Sequence, residues 1–222
     1  MKHGKNYRKL VEQVDKTKKY TPKEAIALAL KTSLVKFDAT LEAHIKLGVD
    51  PRQADQNIRA TLVLPSGTGK KIKVAIFAPA DQTKDLKDAD ITFDDPAYLD
   101  TNPLNFGILL TTPQNMPKLG KYARVLGPKG LMPSPKAGSV TTDLKKSLTE
   151  AKAGKIEYRV DKQAIVHAPL GKLSFGADKL EANLNAFLDS LKSQKPASIK
   201  GIFIKSAYLT TSMGPSIALD IQ

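Results

Sequence analysis

Ser66-Gly67-Thr68-Gly69-Lys70 has the glycines and the lysine of a loop that cradles phosphate. A nucleotide loop of that kind needs a further glycine five positions before Gly69 and a Ser or Thr after the lysine, the latter to hold magnesium. Leu64 and Lys71 stand there instead, so the pattern fails at both ends. Asp94-Asp95 offers two carboxylates to a metal, yet no other carboxylate or histidine cluster lies at a usable spacing, and a solvated turn is the better reading. His3, His44 and His167 are scattered, with no metal-ligand spacing between them. The chain has no cysteine, hence no thiol nucleophile, disulfide or Cys-based zinc site. These residues point to no catalysis, no metal and no cofactor.

A different chemistry is written in Gly120 to Val140, GKYARVLGPKGLMPSPKAGSV. It holds four glycines, three prolines and four basic residues without an acidic one. Glycine is costly in a helix and proline lacks the N–H donor, so an ordered, positively charged loop is predicted. Its lysines and arginine either face phosphate or merely solvate a turn-rich connector, and composition does not choose. The whole chain carries the same bias: 35 Lys and Arg against 22 Asp and Glu over 222 residues, a formal charge of +13. Such an excess favours a polyanionic partner, nucleic acid before membrane surface. No apolar run approaches the roughly 20 residues that span a bilayer. No signal peptide is read either, because Met1 to Lys9 is charged and no apolar core follows it. The cytosol or an organelle matrix fits this composition.

These groups must be positioned by regular elements. Thr21-Pro22-Lys23-Glu24 reads as a capping box with proline at the first helical position, predicting a helix to about Thr32. In FDATLEAHIKLGVD, Phe37, Ala39, Leu41, Ala43, Ile45, Leu47 and Val49 alternate with Asp38, Thr40, Glu42, His44 and Lys46. Period two means a half-buried strand with one apolar and one polar face. Ile58 to Leu64 is predicted as its antiparallel neighbour. Later, Ile156, Tyr158 and Val160 lead through Asp161-Lys162-Gln163 into AIVHAP as a hairpin. An amphipathic helix follows, with Leu180, Leu184, Phe187, Leu188 and Leu191 on one stripe. Two last strands, IKGIFIKSAYLT and SIALDI, flank the turn Ser212-Met213-Gly214-Pro215.

The middle third differs. KVAIFAP and FGILLTTP are short apolar runs without alternation, as in parallel strands covered on both faces. Helical candidates at Pro113 to Gly120 and Thr142 to Ala153 interleave with them. The expected architecture is an α+β domain split between residues 1–66 and 157–222, interrupted by an inserted α/β, Rossmann-like domain with a mainly parallel sheet at 67–156. Both parts are basic, with 21 basic against 13 acidic residues in the outer one and 14 against 9 in the insert.

Read together, the loop at 120–140, the strand KFDATLEAHIKLG, the segment HAPLGKLSF and the turn TTSMGPS resemble the large-subunit ribosomal protein L-one family. The likeness runs in order from about Tyr7 to Ile221, and LGPKGLMP and SMGP are specific to that family. It implies the same split fold and a structural constituent of the large ribosomal subunit, not an enzyme. The implied partner is ribosomal RNA at the mobile stalk, where the protein sits as a monomer and assists release of deacylated tRNA from the exit site. Bacterial members commonly bind their own messenger RNA and repress its translation. The implied setting is cytoplasmic and ribosome-associated, with no membrane. Residue by residue, Lys36, Phe37, Thr40 and Glu42 match the family's first RNA-facing strand. Ser206 matches a second position, and Thr211, Ser212, Met213 and Gly214 match its recognition turn, where threonine is more common than Ser212. His167 and Lys172 flank a further matching segment.

The residue types suit RNA. Lys36 supplies charge, and the hydroxyls of Thr40, Ser206 and Ser212 can bond to ribose hydroxyls and phosphate oxygens. Gly214 lets RNA near the backbone, and Met213 offers a soft apolar surface. Glu42 is repelled by phosphate, so its use is as an acceptor for a ribose hydroxyl or base amino group. Competing readings stand beside these. Phe37 falls on the apolar face and could be core, and Met213-Gly214 could be a plain turn. Asp88 to Leu104 departs from the family, which often has glycine-rich sequence there; this chain has none, and has Pro96 and Pro103. The rival function is a basic RNA-processing enzyme with an unrecognised site.

Overall fold

The computed structural model describes residues 4–83, 86, 88–101 and 104–221; His3 and Pro103 fall outside them. In chain order the elements are α1 (Lys5–Val11), α2 (Pro22–Lys31), β1 (Thr40–Leu47), β2 (Arg59–Val63), β3 (Val74–Phe77), α3 (Ala80–Thr83), β4 (Ile91–Phe93), α4 (Tyr98–Thr101) and β5 (Ile108–Thr111). Then come α5 (Ala123–Leu126), α6 (Leu144–Lys152), β6 (Lys155–Arg159), β7 (Ile165–Lys172), α7 (Ala177–Ser193), β8 (Ile204–Thr211) and β9 (Ile217–Leu219), with short 3-10 turns between them. The chain divides into two compact units, Met1–Lys70 with Ile156–Gln222, and Lys71–Lys155.

In the outer unit the capping box forms as the sequence requires. Thr21 Oγ1 accepts from Glu24 N–H, and Glu24 Oε2 accepts from Thr21 N–H. The main sheet runs β7-β1-β8-β9, antiparallel in every pairing given for it. Its centre, β1, alternates between buried and half-exposed residues. The buried set, Leu41, Ala43, Ile45 and Leu47, packs with α2 and with Leu180, Leu184, Phe187 and Leu191 of α7. Each leucine, isoleucine and phenylalanine among them contributes about 1.5–3 kcal/mol on burial. The helices cover one face only. The other carries Thr40, Glu42, His44 and Lys46 from β1 and is left open.

Because both edges of β1 are occupied, by β7 and β8, no edge remains for β2. Residues 58–64 therefore do not pair with β1 as the sequence suggested; β2 pairs with β6 in a separate two-stranded sheet. The unit also keeps more of the phosphate-loop-like segment than expected: the change of unit falls at Lys70/Lys71 rather than 66/67. Fully buried Asn183 accepts from Ser66 N–H and donates to the carbonyls of Gly67 and Leu170. A Cβ at Gly69, whose φ is +72°, would strike Lys172 and Phe175. The segment is packed onto the outer unit through its own backbone.

In the inserted unit the parallel sheet β4-β3-β5 has β3 buried along its whole length. Val74 and Ile76 pack with Leu144, Leu148 and Ala151 of α6, while Ala75 and Phe77 pack with Phe93, Leu99, Leu119 and Leu126 on the opposite face. That two-sided cover explains why KVAIF shows no alternation. Asp143 caps α6 by accepting from Lys146 N–H. Within residues 88–104, where the family pattern lapses, Phe93 of β4 stacks between Phe77 and Tyr98. Residues 120–140 are not wholly loop: a 3-10 segment reaches Tyr122 and α5 adds a helical turn. Buried Leu126 anchors that turn, and the four basic side chains point to solvent.

Candidate nucleic-acid interface

The strand order of the outer unit brings the residues before β1 against the turn after β8. Thr40 N–H donates to Ser212 Oγ (3.2 Å) and Ser212 N–H donates to the Thr40 carbonyl (3.1 Å). Lys172 closes the third side, its Nζ donating to the Asp38 carbonyl (2.9 Å) and to Thr40 Oγ1 (3.0 Å). Asp38 is held in turn by Ser174, whose backbone and hydroxyl both donate to its carboxylate. The hydroxyl bond of Ser174 is the main reason that the Asp38 carboxyl titrates below its ordinary range. The segment Lys36-Phe37 thus leaves a pinned base.

That base presents two apolar side chains to solvent. Phe37 is 62% exposed and Met213 is 75% exposed, so Phe37 is not core despite its place in the alternation. The strand begins only at Thr40, and the alternation reaches two residues too far. Met213 also has φ +65°, a left-handed backbone that L residues other than glycine rarely adopt. The conformation costs about 1–2 kcal/mol, and it is held by Gly214 N–H donating to the Thr211 carbonyl (2.8 Å). An exposed methionine kept in a strained turn is a feature that stability alone does not explain.

Thr211 and Gly214 have structural parts in the turn. Thr211 lies opposite Leu41 on the covered face and is 3% exposed, so its side chain supports the turn from beneath. A Cβ at Gly214 would sit 2.1 Å from Thr211 Oγ1, and that internal contact by itself demands glycine. The hydroxyl oxygen of Ser212 is engaged with Thr40, accepting its backbone N–H.

The remaining candidates lie apart from the tip, on the open face. Glu42 stands between Pro169 and Thr210, and Ser206 stands opposite Lys46. Ser206 is five positions along β8 from Thr211, roughly 17 Å at the usual rise. His167 faces His44 across β1 and β7. The sequence reading passed over His44, Lys46, Tyr208 and Thr210, which share this face. The period of two had put His44 and Lys46 on the polar face with Glu42 without making them site candidates, and the same step along β8 from Ser206 reaches Tyr208 and Thr210. Among the described residues no group of three or more His, Asp or Glu side chains is placed to hold a metal ion.

Comparison with known proteins places the chain among relatives. Residues 27–215 match the model of the "Ribosomal protein L1p/L10e family". The chain is 49% identical over 223 aligned positions to the large ribosomal subunit protein uL1 of Lactobacillus gasseri, covering 99% of this chain and 97% of that one. It is 48% identical to the protein of the same description from Lactobacillus johnsonii, with the same coverage. With a family match over most of its length and near-complete relatives at this identity, the chain belongs to the ribosomal protein L1p/L10e family.

Proposed function

We propose that this protein is a structural component of the large ribosomal subunit that holds ribosomal RNA through the tip and open face of its outer sheet, and that performs no chemistry. The observation carrying this reading is the strained turn at Met213, exposed beside Phe37, Lys36 and the bound pair Thr40–Ser212. Apolar surface there suits a sugar or base, the hydroxyls suit ribose and phosphate, and the rigid base lets them act without ordering on binding. Lys36, Phe37, Thr40, Lys172, Ser212 and Met213 form the primary contact. Glu42, His167 and Ser206 extend it along the face, and Thr211 and Gly214 shape the turn.

On this reading the RNA is the stalk region of the large subunit, and the protein works in the cytoplasm as one copy per ribosome. It assists deacylated tRNA in leaving the exit site, and it represses its own messenger RNA by offering the same surface to a similar RNA fold. Shape-based recognition of ribose and backbone permits such double use. A gel-shift titration against a stalk rRNA fragment tests the first claim, with the leader of its own message as competitor. Tight binding, displacement by the leader and no cleavage of either RNA support the reading; turnover of the RNA would instead favour an enzyme. Ribosomes depleted of the protein are expected to release deacylated tRNA more slowly.

A further inference from the structure

The open face carries a cluster of titratable groups that the tip does not use. The rings of His44 and His167 meet edge to face, centroids 4.9 Å apart, with their Nδ1 atoms 2.7 Å from each other. Two ring nitrogens at that distance need a proton between them, since two lone pairs repel. Each ring's other nitrogen faces a carboxylate: His167 Nε2 lies 3.4 Å from Asp161 Oδ2, and His44 Nε2 lies 3.8 Å from Glu42 Oε2. A carboxylate only accepts, so the contact to Asp161 is a hydrogen bond with His167 Nε2 as N–H, while 3.8 Å to Glu42 is too long for a hydrogen bond and asks for no proton on His44 Nε2. The two hydrogen bonds use the two protons that a pair of neutral imidazoles possesses, and a third proton on His44 Nε2 would face Glu42 without disturbing them. A fourth proton sets two N–H groups head to head and drives the rings apart.

The surroundings are open to that change. Glu42 and Lys46 come from β1, Asp161 from the turn before β7, and Tyr208 from β8 directly opposite His44. Both helices of the unit's core pack on the other face. Asp161 stays fixed, because its Oδ1 accepts the backbone N–H groups of Gln163 and Ile165. Burial first, then the charge of His167, holds the His44 pKa below its ordinary 6.5, against a smaller upward pull from Glu42. The third and fourth protons are therefore disfavoured in the free protein and are available to a partner that repays them.

We propose that the His44–His167 pair is a proton-dependent contact for the phosphodiester backbone of RNA: bound RNA draws a third and a fourth proton onto the pair, parts the rings and turns their N–H groups to phosphate. This rests on the RNA-binding reading above. A phosphate within a few Å favours the doubly charged pair, and charge-assisted bonds to it follow. Proton uptake on binding ties affinity to pH, with a ceiling of about tenfold per pH unit for one proton.

The test is a titration of the full-length protein with a labelled stalk rRNA fragment at fixed salt, at two pH values about two units apart (roughly 7.5 and 5.5) that straddle the ordinary histidine pKa. The wild type is expected to bind about three- to tenfold more tightly at the lower pH. The double variant His44→Asn/His167→Asn binds with no such gain, and Lys46→Ala, which removes a charge but keeps the pair, binds more weakly while retaining the gain. A pH-independent wild type, an equal gain in the double variant, or loss of the gain in Lys46→Ala overturns the inference and leaves RNA binding standing. Absence of binding at both pH values instead sinks the RNA-binding reading and the inference with it.

Discussion

Met213 is where stability and function pull apart most clearly. Met213→Gly removes the left-handed strain of a side-chain-bearing residue and is expected to stabilise the fold by about 0.5–1 kcal/mol, after glycine's extra chain entropy is counted. The same change strips the exposed apolar surface and weakens RNA binding. Urea melts and RNA titrations on one sample check both signs, and a variant that loses stability contradicts the backbone account. Gly214→Ala sets a Cβ against Thr211 Oγ1 and is expected to cost about 1–3 kcal/mol, as overpacking does. Adding Thr211→Ala should restore most of it, because the colliding oxygen is buried with no hydrogen-bond partner among the described residues. The His44 pKa is depressed, so in the window below its ordinary 6.5 the unfolded chain binds more protons than the folded one. Stability therefore falls as pH drops through that window, and His44→Gln should flatten this part of a pH-melt profile. At this scale the sequence was informative about residue type and poor about exposure. Phe37 leaves the role that alternation alone would give it, because the strand starts at Thr40, whereas Thr211 keeps the alternation of Ala207 and Leu209 and is buried with them.

Elements were legible wherever one face of a regular structure meets the core. The capping box, the period-two strand and the leucine stripe of α7 all appear where the residues put them. Pairing was not legible, since it depends on which edges are free. The fate of β2 follows from strands more than a hundred residues away that claim both sides of β1. Three-residue β4 carries too little pattern to be seen. Asn183 is the polar exception on the buried stripe of α7, and its three bonds tie the helix to residues 66–67 and to β7. Asn183→Leu leaves those backbone groups unpaired, and a loss of about 3 kcal/mol in a urea melt is expected at 1–3 kcal/mol per buried orphan. A change under 1 kcal/mol would show that the junction is not held as described.

For the whole molecule, the split architecture follows from strand order. Central β1 lies between two strands from the far end of the chain, so both ends must meet and whatever lies between becomes an insertion. Net charge of +13 spread over both parts attracts RNA without choosing a site. Affinity is expected to fall linearly in log–log form with salt, by about 0.7–0.9 of a decade per decade for each phosphate neutralised. Specificity must then come from one surface, and two substitutions of equal charge change separate it from the general field. Met213→Asp and Lys129→Ala each lower the net charge by one, the former at the turn of the outer sheet, the latter in the exposed basic loop of the insert. In a titration of the full chain against a stalk rRNA fragment, Met213→Asp is expected to lose about tenfold or more, the scale of one lost stacking contact. Lys129→Ala is expected to lose less than about threefold, as the loss of one exposed, screened charge does. Equal losses from the two would contradict the assignment of the RNA surface to the outer sheet.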